Sequence, residues 1–269
     1  MAITTIDGVI AGMLPPQQFI KTSGTLEAAG VYYSPVYVAG APGAMAAPAS
    51  GLSGAAITSR TGLINVPTPG AGNSYLGGLA VFATVAGAYE LIDRLWDNSG
   101  LVVTTTTAQT ITSAAWPARD ADGAVDGRQV SVGIEVRTAT TNAGAIANMT
   151  FSYTNSLGAS GKTGTIPSFP ATAAIGTFVE GYLAAGDEGI QSIQSWTLGT
   201  SLVAGAVHLV AFRRIGLPAN CGGPGFGRDL DAVGCGFARL YDGTCLQPLW
   251  MPSATTAVTV NSRVLVTQG

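Results

Sequence analysis

Charge is what this chain of 269 residues has least of, with 12 Lys or Arg and 15 Asp or Glu. Charged side chains make up 10% of it, against roughly 25% in an ordinary soluble domain. The formal net charge of −3 leaves no basic field for neutralising phosphates, so nucleic acid is not an expected partner. Histidine occurs once, at His208, and the three cysteines, Cys221, Cys235 and Cys245, are separated by thirteen and nine residues. That spacing fits no common zinc pattern, so no metal site is expected. An odd cysteine count leaves at least one thiol unpaired, and reduced thiols are the simplest reading, although a bridge from Cys221 to Cys235 or Cys245 stays open. Long apolar runs are missing as well. The uncharged stretches 28–59, 61–89 and 189–212 are broken by Gly, Pro, Ser, Thr or Gln before the roughly 20 apolar residues of a spanning helix accumulate, so no membrane partner is expected. The segment Met1–Asp7 lacks a positive n-region and carries an acid, so secretory export is not expected.

What the chain does have is small and β-prone. Gly (37) and Pro (14) together form about a fifth of it, below the roughly 25–30% at which low-complexity disorder becomes the default. The apolar fraction of 47% rests largely on Ala and Val, with aromatics at 7%. The length fits one large all-β domain or two smaller domains, and a domain near this size builds a core without disulfide or metal.

Residues 1–75 read as an extended, largely irregular arm. Thr5 is placed to cap a short helix that Pro15-Pro16 ends, and five further X-Pro steps bias the chain towards extended geometry. Tyr32, Tyr33 and Tyr37 alternate with valines and can add a strand to a sheet of this subunit or of a neighbour. From residue 76 the period becomes two. Leu79, Val81, Ala83 and Val85 share one face, and Tyr89, Leu91, Asp93 and Leu95 continue after Ala86-Gly87 as a hairpin partner, with a helix over 89–96 as the alternative. The β-branched run Leu101–Thr107 suits a pleated surface. Val130, Val132, Ile134 and Val136 alternate with Gln129, Ser131, Gly133, Glu135 and Arg137, the pattern of a strand with one buried and one wet face. Met149, Phe151 and Tyr153 repeat it, and further strands are expected at 176–182, 190–198, 201–212, 257–260 and 263–267. Many short strands without a long helix predict an all-β fold, an antiparallel sandwich or jelly roll over 76–269, with a Gly- and Cys-containing loop at 220–236.

Chemical motifs fail on context. Ser156–Thr163 approaches a phosphate loop, but Pro167 and Pro170 stop the helix such a loop must enter, so it reads as a hairpin turn. Gly222–Gly227 follows no strand and opens no amphipathic helix. Asp120, Asp122 and Asp126 lie in a turn without the twelfth-position glutamate of an EF-hand. His208 lacks a Gly-x-Ser-x-Gly elbow elsewhere in the chain and reads as a structural residue. No catalytic, cofactor-binding or metal-binding residue is assigned. A polysaccharide-cleaving enzyme would need two acids among Asp120, Asp122, Asp126, Asp187, Glu188, Asp229 and Asp231 to face each other across a groove. A sugar-binding jelly roll would need Trp96, Trp116 or Trp196 exposed.

The segments Leu101-Val-Val-Thr-Thr-Thr-Thr to Trp116-Pro-Ala-Arg-Asp120, Phe151-Ser-Tyr-Thr-Asn155, Arg239-Leu-Tyr-Asp242 and Pro252 to Gly269 resemble structural proteins encoded by tailed-bacteriophage genomes, over roughly residues 76–269. The resemblance implies virion membership and brings no functional residues with it; the Cys221–Cys245 region departs from it. Combined with the charge deficit, which is typical of interface cores, it leads to the expectation of a non-enzymatic capsid decoration protein on the outside of the particle, assembled in the bacterial cytoplasm. Its expected partners are the major capsid protein, other virion subunits and its own copies, with a trimer favoured. A tail, collar or fibre component and a receptor-binding jelly roll are the alternatives.

Overall fold

The computed structural model describes residues 3–23, 27–216 and 218–269. Apart from the six-residue helix Ile6–Ala11 and a three-residue 3-10 turn at Pro35–Tyr37, its regular elements are strands. The helix starts as the sequence dictates, with the Gly8 amide donating to Thr5 Oγ1 at 3.1 Å. The chain forms two units, one from Met1–Ala46, Thr58–Asp93 and Arg214–Gly269, the other from Ala47–Ile57 and Arg94–Arg213.

In the first unit the ten-residue strand Thr259–Gln268 is central. It pairs antiparallel with Ser74–Ala83 on one side and with Gln17–Thr22 on the other. Arg228–Asp231 and Arg239–Leu240 then pair with Ser74–Ala83 along its free edge. The expected pair 257–260 and 263–267 is therefore one strand. Asn261-Ser262 does not turn, because Ser262 points inward and its hydroxyl meets the buried Tyr89 hydroxyl at 2.8 Å. The expected hairpin between 79–85 and 89–95 is also corrected. Gly87–Asp97 is a strand, but within this unit it pairs with Cys245–Pro252 and Ala219–Cys221, in a different sheet from Ser74–Ala83. Its register is set by close approach, since a Cβ on Gly87 would lie 2.4 Å from the Met251 carbonyl oxygen and 2.5 Å from the Trp250 ring. Tyr33 pairs with Trp250, so the tyrosine strand is added to a sheet of its own subunit. The Gln17–Thr22 strand buries Phe19 and Lys21. Loop 220–236 is shorter than expected, because Ala219–Cys221 and Arg228–Asp231 are strands.

The second unit is a sandwich. Lys162–Ile166, Met149–Asn155, Ile190–Thr197 and Gln109–Thr110 form one sheet in that order. Val130–Thr138 pairs with Ala206–Arg214 and Thr177–Glu180 in another. Side chains from both sheets meet in one core around Trp96, Trp116 and Trp196. The Ser156–Lys162 segment is the expected hairpin turn, held by Asn155 Oδ1, which accepts from the amides of Leu157 and Ala159. The threonine run is not a strand. Thr107 N donates to Thr105 Oγ1, and side-chain bonding of this kind offers the backbone an alternative to a ladder. Val130–Val136 buries its expected face, but Gly133 and Glu135 on the other face are buried too. The Phe178 ring lies over Gly133, where a Cβ would come within 2.5 Å of it.

Candidate functional site

The chain buries ten of its few charged residues: Lys21, Glu27, Glu90, Asp93, Arg94, Asp97, Arg119, Asp120, Glu135 and Arg213. Charged groups are rarely buried unless partnered, and most of these partners are explicit. In the second unit Arg94 Nη1 donates to Glu135 Oε2 at 2.7 Å, while its Nε and Nη2 reach Asp97 Oδ2 at 2.9 and 2.8 Å. His208 Nε2 lies 2.7 Å from the same Glu135 oxygen. Arg119 Nη2 donates to the carbonyls of Arg94 and Ile57. Burial holds the His208 imidazolium form down despite Glu135 beside it, so His208 is the neutral member of a group with the Arg94 guanidinium and the Asp97 and Glu135 carboxylates. That cluster is sealed from solvent and offers no substrate access. Glu135 is thus buried against His208 and not on the wet face that strict alternation predicts.

The Asp120 turn is likewise occupied by its own backbone. Asp120 Oδ1 accepts from the amides of Asp122 and Ala124, and Oδ2 from those of Gly127 and Arg128. Among the described residues no group of His, Cys, Asp and Glu is placed to hold a metal ion. All three cysteines are free and buried, which removes the disulfide alternative. Trp96, Trp116 and Trp196 are buried, and Trp96 and Trp116 pack edge-on at 5.3 Å, so none of them is available to stack on a sugar.

The acids named as a potential cleavage pair do not flank a common groove. Asp122 and Glu188 both lie against Arg128. Asp187 accepts from Tyr153 Oη at 2.6 Å and Asn155 Nδ2 at 2.7 Å, and these bonds hold its carboxyl below the usual range. Asp229 and Asp231 do share an open groove, of about 580 Å³, in the first unit. They sit at i and i+2 of one strand and so form one wall, with Ala80 in the floor. Asp229 is opposite Ala80, and Ala80 is in turn opposite Arg263, so across the sheet the row runs acid, small residue, guanidinium. That arrangement lacks the second carboxylate that glycoside cleavage requires on the far side of the bond.

Two surface features remain. Residues 39–59 carry no charge, and Ala39, Gly40, Ala41, Gly43, Ala44, Ala46, Ala47, Gly51 and Ala56 are exposed. The groove edge is the opposite in character: Arg228, Asp229 and Arg263 make no side-chain hydrogen bond or ion pair among the described residues.

No protein-family model matches the chain. No curated protein matches it either. Among solved structures, the chain is similar to the infectious bursal disease virus Gt strain, at 11% identity and a TM-score of 0.20, over 95% of this chain and 80% of that one. It is similar to the infectious bursal disease virus VP2 subviral particle at 10% identity and TM-score 0.16, over 96% and 82%. It is similar to the cyanophage Pam1 capsid asymmetric unit at 14% identity and TM-score 0.14, over 76% and 93%. Each of these is a virus, a subviral particle or a capsid, and the superpositions are weak.

Proposed function

We propose that this chain is a structural protein of a virus particle, specifically a capsid decoration protein of a tailed bacteriophage that binds the assembled shell and stabilises it. The observation that carries this reading is the absence of charge from residues 39–59, whose small residues are exposed in each of the two units taken by itself. A free protein keeps charge on its surface for solubility, whereas the cores of interfaces are depleted of it. Here the sparse charges are further withdrawn into the interior, so the surface is poorer in charge than the composition alone suggests. A ribbon of Ala and Gly lets a neighbouring backbone approach closely and loses little side-chain entropy when covered. Because the protein would bind the shell and not its dissociated subunits, it shifts assembly by mass action. The exposed parts of segment 1–75, outside Gln17–Thr22 and Tyr33 that pair within the subunit, are the anchor in this reading, and symmetric oligomers, trimers in particular, would repeat the contact around the shell.

Quantitative mass spectrometry of purified particles tests the placement. Hundreds of copies per virion agree with decoration, and a dozen or fewer assign the chain to the tail or collar instead. Ala44→Glu and Ala47→Glu place a charge on the ribbon at exposed positions. Each should leave the fold intact and weaken shell binding; binding that is unchanged in both removes the ribbon as the contact.

A further inference from the structure

We propose that the edge strand Arg228–Asp231 is a second docking surface, built to receive an extended polypeptide segment that carries lysine or arginine at alternate positions. The strand ends its sheet, pairing with Ser74–Ala83 on one side only. The carbonyls of Leu230 and Asp231 already accept from Cys235, so an incoming strand would meet the backbone at Arg228 and Asp229, where the edge is left for β-augmentation. Alternation puts Asp229 and Asp231 on one face and Arg228 and Leu230 on the other, and all four residues line the groove. Asp229 has no internal partner among the described residues, and Asp231 accepts only from the Gly234 amide.

The ends of the strand are apolar and uncovered. Phe226, just before it, is 70% exposed, and Val233, just after it, is 83% exposed. An aromatic exposed to that degree beside unpaired charges is the composition of an interface anchor. Anchors at both ends and acids between them specify a segment of about eight residues, apolar at its ends and cationic at alternate positions between.

A second copy of this chain is the wrong occupant for this edge. Two antiparallel copies joined edge to edge keep the same faces up, which sets Asp229 and Asp231 of one strand against the acids of the other, and like charges directly opposite are destabilising. The same acids therefore guard against self-association and select a basic partner. This surface is chemically unlike the uncharged ribbon, and it does not depend on the virion reading.

The test uses the full chain and fluorescein-labelled peptides, followed by fluorescence anisotropy. Leu-Val-Lys-Val-Lys-Val-Lys-Leu should bind saturably below ~1 mM, more weakly as salt is raised. The version with Glu in place of Lys should bind at least about fivefold more weakly, and Asp229→Lys should weaken the lysine peptide by about the same factor, as expected for exposed ion pairs. Phe226→Ser should weaken it about tenfold, and N-methylation of alternate peptide residues should abolish binding by removing strand hydrogen bonds. Asp229 and Phe226 are both exposed, so circular dichroism should show an unchanged fold. Absence of saturable binding overturns the proposal, as does equal binding of the Lys and Glu peptides. Since the two peptides are compared on the unaltered chain, the result stands even if a variant misfolds, and it is separate from any copy number measured on particles.

Discussion

Glu135→Leu should be among the most damaging single substitutions in the chain. Glu135 is fully buried and one of its oxygens accepts from both Arg94 and His208, each at 2.7 Å. Arg94 lies between two carboxylates, Asp97 and Glu135. Removing Glu135 takes one of the two carboxylate partners from Arg94 and the acceptor from His208. Breaking a buried pair by deleting one partner costs about 3–5 kcal/mol, which for a unit of this size lowers the melting temperature by roughly 10–15 °C. Glu135→Gln, which keeps a hydrogen-bond acceptor but not the charge, should fall between wild type and Glu135→Leu. The control is Asp122→Ala, whose 2.7 Å pair with Arg128 is about half exposed and should be worth under ~1 kcal/mol. Urea unfolding followed by tryptophan fluorescence is a suitable assay, since Trp96, Trp116 and Trp196 lie in the same core. A Glu135→Leu loss no larger than that of Asp122→Ala would refute the account of the cluster.

Other outcomes can be checked independently. Asp120→Ala removes the acceptor for four backbone amides and should cost about 2–3 kcal/mol, with hydrogen exchange accelerated at residues 122–128; unchanged exchange there would show that the turn holds itself. Burial raises the Glu27 carboxyl to about 7 from its ordinary 4.5. The folded state then binds the proton more tightly than the unfolded one, so this group's contribution falls as pH climbs from about 4.5 to 7. Glu27→Gln should flatten stability over that window, and an identical slope in the variant would contradict it. Thiol titration should find the three cysteines slow to react in the native protein, their thiols buried and those of Cys221 and Cys235 raised by that burial, and all three reactive in denaturant without reductant. Fewer than three would indicate a disulfide.

The fold class was legible because period-two alternation reports burial directly, as at Val130–Val136 and Met149–Tyr153. Pairing was not. Alternation says that Leu79 and Leu91 face a core, but not that their strands enter different sheets, which is decided by contacts far away in sequence such as Gly87 against Trp250 and Tyr89 against Ser262. Polar residues misled for a related reason. Glu135 and Asp97 look like solvent markers until the residues that neutralise them are brought together, and Arg94 and His208 lie 41 and 73 positions from Glu135. The threonine run failed differently, since β-branching favours a pleated strand only where a neighbour supplies a ladder. The edge-strand groove had one sequence signal, the dense charge of Arg228-Asp-Leu-Asp231 in a chain so poor in charge. Its significance depended on knowing that this segment is a sheet edge.

The charge deficit thus has a spatial meaning. In a monomer that functions alone, removing charges from the interior to the surface would raise solubility at no structural cost, because buried ion pairs are replaceable by apolar packing. This chain does the reverse, holding Arg94, Arg119, Asp97 and Glu135 inside while residues 39–59 carry no charge and most of them are at least partly exposed. The arrangement also makes the remaining exposed charges informative. Arg228 and Asp229, beside the exposed Phe226, make no side-chain ion pair among the described residues, and charges left so at a surface favour discrimination among partners over mere adhesion.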